Sequence, residues 1–204
     1  EGGINEESQD KETGYEQVAP TVYALVAAID AKDSFTFQHS TNVSQYAVLL
    51  AQKLGLSRND IQTVKVAGLL HDIGKIGIPE SILKKAGKLT NEEYEIMKSH
   101  VEKSIEMIHY LPNMNYVIPA VVSHHERYDG KGYPRGIKGE EIPFLGRILA
   151  VCDSFDAMIS KRAYKEPLSV EYAMGELEKN KGTQFDPEVA DAFIELIKEG
   201  KVPL

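Results

Sequence analysis

Histidine and aspartate residues recur along this chain at positions that could bind metal ions. Five of its six histidines and two aspartates make up the series, which is His39, His71, Asp72, His100, His124, His125 and Asp153. Imidazole nitrogen and carboxylate oxygen are ligands that first-row transition metals bind in proteins. Seven such groups are too many for one ion and enough for two. The series therefore predicts a site for two divalent transition-metal ions.

Helical periodicity indicates that the first of these residues point inward. At about 100° per residue, His39 falls on the apolar face that contains Val43, and His71 falls on the face that contains Val64. A single inward histidine is more often a hydrogen-bonded core residue than a ligand. An adjacent carboxylate, Asp72, is costly to bury without a cation. The combination therefore favours metal binding.

The sixth histidine, His109, lies nine residues after His100 on one predicted helix, so the two side chains point about 180° apart. We therefore take His100 as the ligand and His109 as a surface or core-edge residue. His124 and His125 are about 100° apart on a helix. Both could bind one metal, or one could bind metal while the other contacts a backbone group.

Two further carboxylates, Asp153 and Asp156, are three residues apart on nearly the same face of an apolar helix. A carboxylate in such a position needs a positive partner. A metal ion is one candidate. A buried salt bridge with Lys75 or Arg162 is the structural alternative.

The remaining sequence predicts an all-α domain of eight or nine helices. Amphipathic patterns and capping residues place them at residues 19–32, 36–54, 58–72, 79–85, 91–110, 116–127, 144–160, 169–180 and 187–199. Gly74 and Gly200 suit helix ends. The segment 128–142 holds four glycines and one proline directly after the histidine pair. A loop of this length in a compact domain is usually functional or disordered, and its position after the histidine pair favours function.

Composition limits the partners and the location of the chain. Its 204 residues carry a net charge of −8, which argues against binding to DNA or RNA polymers. No apolar run is long enough for a membrane span, so no membrane contact is expected. Cys152, the single cysteine, lies in an apolar run that predicts burial and fits the reducing cytoplasm. We expect a linker remnant at 1–17, one domain at 18–199 and a C-terminal tail at 200–204.

Two motifs give the chain a family resemblance. Residues 69–75, LLHDIGK, resemble the signature of the HD phosphohydrolase superfamily, and residues 124–134, HHERYDGKGYP, match the HHExxDGxGYP pattern of its HD-GYP branch. Residues 78–79 (IP), 153–157 (DSFDA) and 162–165 (RAYK) also look like that branch. The resemblance extends from about residue 20 to residue 198.

The resemblance implies a helical bacterial phosphodiesterase that hydrolyses cyclic di-GMP to pGpG, GMP or both, with iron or manganese as the metals. One metal would be bound by His39, His71, Asp72 and Asp153, and the other by the bridging Asp72 with His100, His124 and His125. Residues matching phosphate-binding positions are Lys75, Arg162 and Lys165, and those matching the guanine-contacting loop are Gly132, Tyr133 and Pro134. Members with a third metal have Glu where this chain has Phe35, so we expect two ions, unless a water or another acid replaces that Glu.

These residue types fit two-metal hydrolysis of a phosphodiester. Two cations about 3.5–4 Å apart can bind the phosphoryl oxygens and lower the pKa of a bridging water, which attacks phosphorus as hydroxide. Lys75 could neutralise charge on a phosphoryl oxygen, and Arg162 offers a planar fork to phosphate. Asp156 or a metal-bound water could protonate the leaving oxygen. Tyr133 offers a ring face to a purine.

Three other functions stay open at this point. The chain could hydrolyse another cyclic or linear nucleotide, act as a di-iron oxygenase, or bind a nucleotide without cleaving it as a signalling module. All the ligand positions are filled, and Lys75 and the loop around Tyr133 are present, which favours hydrolysis of a cyclic dinucleotide. Sensory or diguanylate cyclase domains of a longer protein could adjoin the chain. The oligomeric state is not predicted.

Overall fold

The computed structural model describes residues 18–162 and 165–204, and their regular secondary structure is helical, which confirms the all-α prediction. The predicted linker at 1–17 lies outside the described residues. The α-helices are α1 (Pro20–Asp30), α2 (Thr36–Lys53), α3 (Arg58–Leu70), α4 (Glu80–Leu83), α5 (Asn91–Lys98), α6 (His100–His109), α7 (Ile118–Ser123), α8 (Phe144–Ile159), α9 (Val170–Lys179) and α10 (Pro187–Lys198). Short 3-10 helices cover Ile73–Gly77, Asn115–Val117 and Gly139–Glu141.

Local capping explains where several helices begin. The Ser57 hydroxyl accepts a hydrogen bond from the Asp60 amide at the start of α3. Thr90 and Glu93 form a reciprocal capping box at the start of α5. The Asp186 carboxylate caps α10, whose first residue is proline. These are the starts that the sequence patterns predict.

One predicted helix, 91–110, is divided in the structure into α5 and α6. The break lies at Ser99, between α5 and α6. The Ser99 hydroxyl and amide both donate to the Ile96 carbonyl, and the His100 ring contacts the Met97 carbonyl. Serine competes in this way with the regular helical hydrogen bonds. The break places His100 at the start of a new helix.

The hydrophobic core forms around α2, which packs against α1, α3, α8 and α10. Tyr46, Phe155 and Phe193 join three of these helices through ring contacts in the core. Cys152 is fully buried in α8, as predicted. The packing brings together the start of α2, the end of α3 and the second half of α8, and these segments carry or directly precede four of the predicted metal ligands, which are His39, His71, Asp72 and Asp153.

The chain continues past α10 as packed structure. Gly200 ends the helix with φ of 68°, as its position predicts, and the Lys201 amide donates to the Leu196 carbonyl. Val202, in the segment predicted as a tail, is buried against the core. None of the helices in the described part of the chain is long and apolar enough to cross a bilayer.

Candidate metal centre

The side chains predicted as metal ligands meet at one place in the fold. Within each of two groups, one nitrogen or oxygen atom per residue lies within 4.8 Å of the others. The first group is His39, His71, Asp72 and Asp153, and the second is Asp72, His100, His124 and His125. Asp72 belongs to both groups.

Helix ends orient three of the imidazole rings. His71 and His124 directly follow the last residues of α3 and α7, and His100 begins α6 immediately after the break at Ser99. Each ring places Nδ1 within 2.7 Å of the carbonyl oxygen three residues earlier, on Gly68, Val121 and Met97 respectively. Terminal carbonyls of a helix lack helical partners. A ring whose Nδ1–H satisfies such a carbonyl presents the lone pair of Nε2 on its other side.

His39 is oriented by a carboxylate instead. Its Nδ1 lies 2.6 Å from Oδ2 of Asp156, which is fully buried. The other Asp156 oxygen accepts hydrogen bonds from Asn42 (2.9 Å) and Ser160 (3.0 Å). His39 Nε2 therefore points away from Asp156 and towards Asp72 and Asp153. This is the arrangement in which a second carboxylate fixes the tautomer of a ligating histidine.

Three of the inward nitrogen atoms lack hydrogen-bond partners, whereas Nε2 of His100 and Nε2 of His125 lie 3.2 Å apart. Nε2 of His39, His71 and His124 is buried, and no described residue forms a hydrogen bond with any of the three. His39 Nε2 lies 2.8 Å from an oxygen of Asp153, but without hydrogen-bond geometry. Buried polar atoms are normally satisfied, so the shared direction of these lone pairs fits metal coordination.

Asp72 stands between the two groups with one oxygen on each side. Its Oδ2 lies 3.2 Å from Nε2 of His71 and 3.5 Å from Nε2 of His39. Its Oδ1 lies 3.4 Å from Nε2 of His100. Lys75, one turn later, places Nζ 3.1 Å from Oδ2. This position suits a carboxylate that bridges two cations.

The carboxylates of Asp72 and Asp153 favour positive charge at the floor of the cavity. Burial opposes ionisation of Asp72, but His71 and Lys75 outweigh it and hold its pKa well below its usual range. Burial alone would lower the pKa of His71, yet Asp72 and Asp153 together raise it to about 10. The two carboxylates thus favour positive charge beside them, which a bound cation would supply.

The pKa values of His124 and His125 are shifted in the opposite direction from that of His71. Burial is the largest cause and lowers the pKa of both rings, and the nearby carboxylates of Asp153 and Asp72 offset it only in part, so the pKa of His125 falls to about 4. Both rings are therefore neutral at pH 7, as metal ligands must be. The donor set, the unsatisfied nitrogens and these charge states all fit divalent metals.

The centre forms the floor of a cavity of about 620 Å³. Lys75, Arg162 and Lys165, predicted to bind phosphate, all line this cavity, and Lys84 and Lys161 line it as well. Phe35, the residue at the position of the third-metal Glu, also lines it. The cavity thus combines a carboxylate and imidazole floor with a rim of five cations, on a chain that is acidic overall.

The loop predicted to contact guanine packs against His125 and the residues that follow it. A Cβ at Gly132 would lie 2.4–2.7 Å from backbone atoms of His125, Glu126 and Arg127, so only glycine fits there. The Tyr133 ring stacks on the His125 ring at 4.9 Å and 15°. It also lies edge-on to Tyr94, under the ammonium of Lys98.

The loop residues differ in their access to the cavity. Tyr133 lines it, and Gly132 holds Tyr133 in place, whereas Pro134 is exposed outside the set of lining residues. The buried carboxylate of Glu126 anchors the segment after Pro134 by accepting a hydrogen bond from the Arg135 amide. His109 is exposed and contacts Asn115, away from the centre.

The comparisons with known proteins agree with this architecture. A family model described as HD domain matches residues 24–189. A cyclic di-GMP phosphodiesterase of Thermotoga maritima is 44% identical over 170 residues, which cover 82% of this chain and 46% of that protein. The cyclic di-GMP phosphodiesterase response regulator RpfG of Xanthomonas campestris is 41% identical, with 88% of this chain and 48% of that protein covered. A 3'3'-cGAMP-specific phosphodiesterase of Vibrio cholerae is 39% identical, with 85% and 34% covered.

Solved structures share the fold at lower identity. A cyclic GMP-AMP specific phosphodiesterase of V. cholerae superposes with a TM-score of 0.70 at 20% identity, over 89% of this chain and 49% of that one. The HD domain of the phosphodiesterase PgpH of L. monocytogenes, in complex with cyclic-di-AMP, gives 0.58 at 20% identity, over 89% and 98%.

The matching model and the relatives define the class: the chain belongs to the HD domain family of phosphohydrolases. Its 124–134 motif is that of the HD-GYP branch. Two of the relatives that it matches are named as cyclic di-GMP phosphodiesterases, which agrees with that motif. The chain spans about half the length, or less, of the curated relatives it matches.

Proposed function

We propose that this chain is the catalytic domain of a bacterial phosphodiesterase that hydrolyses cyclic di-GMP to pGpG, GMP or both. The observation that carries the proposal is the position of Asp72, with one oxygen towards each group of candidate ligands and Lys75 3.1 Å from Oδ2. The relatives named for this activity support the choice of substrate. Sensory or cyclase domains of a longer protein would complete it.

Two divalent ions, iron or manganese, would occupy the two groups of ligands. When bound, they supply the chemistry of two-metal hydrolysis, binding phosphoryl oxygens and lowering the pKa of a water. The first ion would take His39, His71, Asp72 and Asp153. The second would take Asp72, His100, His124 and His125. The absence of sulfur among these donors suits iron and manganese.

The cations on the cavity rim would hold the phosphates. Lys75 is the nearest to the floor and its side chain is mostly buried, so its ammonium can neutralise charge that develops on a phosphoryl oxygen. Arg162 and Lys165 line the same cavity. Arg162 can present its planar fork to one phosphate.

Asp156 takes a positioning role in this proposal. The sequence suggested it as the acid that protonates the leaving oxygen, but its oxygens contact His39, Asn42 and Ser160. It is fully buried behind His39 and outside the set of cavity-lining residues. It would hold His39 as a ligand and is not placed to protonate the leaving oxygen.

A mixed GMP–AMP cyclic dinucleotide is the second candidate substrate, because a relative named for 3'3'-cGAMP is 39% identical over most of this chain. The test is turnover by protein purified without oxygen and reloaded with iron or manganese. Cyclic di-GMP, 3'3'-cGAMP and a 5'-nucleotide would be assayed in parallel by chromatography of products. We expect linear pGpG or GMP from cyclic di-GMP at the highest kcat/KM. Faster cleavage of 3'3'-cGAMP would support the second candidate, and oxygen uptake without nucleotide cleavage would overturn both.

A further inference from the structure

Phe35 lines the cavity in a backbone conformation that is unfavourable for its side chain, and burial in the core does not compensate for it. It directly precedes α2, one turn before His39, and its backbone has φ of 84°. For a residue with a bulky side chain, this left-handed conformation is a genuine outlier. Its ring is 42% exposed and lines the cavity above the metal centre. Core burial therefore does not account for the ring.

Surrounding contacts hold this strained turn in place. Both the amide and the hydroxyl of Thr36 donate to the Asp33 carbonyl, and the Phe37 amide donates to the Asp30 carboxylate. The Lys32 ammonium donates to the Ile76 carbonyl, which ties the turn to the 3-10 helix after Asp72. Strain that neighbouring structure maintains at a site is a reason to look for a function.

The other aromatic ring on the cavity wall is already engaged. One face of Tyr133 stacks on His125, and Lys98 and Tyr94 approach the ring as well. Phe35 has no ring contact with any residue in 18–162 or 165–204. The same cavity is also lined by the apolar side chains Leu83 and Met97.

We propose that Phe35 is a stacking surface for one purine base of the bound cyclic dinucleotide. The inference rests on the proposed function and adds a binding residue to it. A cyclic dinucleotide carries two bases, and Phe35 is an aromatic residue of the cavity wall on which no ring of the described residues stacks. A phenyl ring has no polar atom to read the edge of a base, so the stack accepts guanine and adenine alike.

The test compares Phe35→Ala and Phe35→Gly with the wild-type chain, all loaded with metal. Affinity is measured by calorimetry with a phosphorothioate analogue of cyclic di-GMP, which resists cleavage. We expect both variants to bind about 5- to 150-fold more weakly, the loss that corresponds to one base–aromatic stack of about 1–3 kcal/mol. Binding of the corresponding 3'3'-cGAMP analogue should weaken by the same factor.

Glycine separates the ring from the strained backbone. Because glycine adopts positive φ freely, Phe35→Gly should melt about 2–4 °C above Phe35→Ala, yet the two should bind equally weakly. Asn113, the other non-glycine residue with positive φ in the described chain (56°), lies outside the cavity. Asn113→Gly and Tyr110→Ala, which removes a ring that is 89% exposed elsewhere, should bind like the wild type.

Each failure has its own meaning. If both Phe35 variants bind the analogue like the wild type, the stacking inference is wrong and the proposed hydrolysis is unaffected. If the wild type binds cyclic di-GMP and leaves it intact, the proposed hydrolysis is wrong, and the affinities still decide the role of Phe35. If the wild type does not bind either analogue, both proposals are wrong.

Discussion

Replacing Gly74 with alanine tests whether close packing of two helices sets the spacing of the metal ligands. Gly74 lies in the 3-10 helix Ile73–Gly77, two residues after Asp72, and packs directly on α6, which begins at His100. A Cβ at Gly74 would lie 2.0 Å from the His100 carbonyl oxygen and 2.4 Å from the Ser104 amide nitrogen. Both are backbone atoms, so the clash cannot be relieved by a side-chain rotation.

The required displacement can be compared with the tolerance of a metal site. Ordinary contact begins at 3.4 Å, so the segment with Asp72 and the start of α6 must separate by about 1.4 Å. Metal–ligand distances tolerate about 0.2 Å. Asp72 and His100 both belong to the second group of ligands. Gly74→Ala should therefore lose the second metal, and the overpacking should cost about 1–3 kcal/mol of stability.

The assay combines elemental analysis, turnover and thermal unfolding. For a domain of this size, the stability loss corresponds to a fall of about 2–12 °C in Tm. Gly175, exposed within α9 with no atom within 4 Å of its Cβ position, is the matched control. Gly175→Ala should keep both metals and melt about 1–4 °C higher, because alanine favours a helix by about 0.5–1 kcal/mol. If Gly74→Ala retains two metals per chain and the wild-type Tm, the reasoning about helix spacing is refuted.

Three further outcomes follow from the proposed site. Lys75→Ala should keep both metals but lower kcat about 10²-fold, the usual loss for one charge-stabilising group; an unchanged kcat would remove Lys75 from the reaction. Asp156→Asn should weaken binding of the first metal about 10- to 100-fold, because a neutral amide orients His39 and raises its basicity less than a carboxylate does. Titration against a chelator would measure this, and His109→Ala should bind metal like the wild type. Removing metal should lower Tm by about 5–11 °C, given about 2.7 kcal/mol of binding linkage at 100-fold excess over Kd; equal Tm values would argue against a metal site in the folded chain.

The sequence predicted the helices and the candidate metal ligands, but it did not predict the contacts that orient those ligands. Helical periodicity placed His39 and His71 on inward faces, and both are buried. It treated His71 and His124 as helical, whereas both directly follow the end of a helix. Periodicity describes the middle of a helix, and the use of a terminal carbonyl by an imidazole depends on where the helix ends. In the structure, the contact between Nδ1 and the carbonyl three residues earlier orients each ring, and helical periodicity does not predict this contact.

Other features depend on contacts between distant segments, which one sequence does not reveal. Gly74 suited a helix stop, but it does not have positive φ and is required instead by the approach of α6. Asp156 looked equivalent to Asp153 because both fall on one helix face. They diverge because α2 inserts His39 between them, with Nε2 towards Asp153 and Nδ1 towards Asp156. A helical wheel gives the direction of each side chain around its own helix axis. It does not show which side chains of a neighbouring helix lie in that direction.

The centre and its rim have opposite electrostatic preferences, and this division explains how an acidic chain could bind an anionic substrate. Helices α3 and α7 both end next to the floor where Asp72 and Asp153 lie, and the C-terminal end of a helix carries partial negative charge. This floor favours cations and would repel a phosphodiester. The rim residues Lys75 and Arg162 favour the phosphodiester. On the proposed function, substrate affinity therefore depends on cations that first neutralise the floor, so the net charge of −8 is a poor guide to what the cavity accepts.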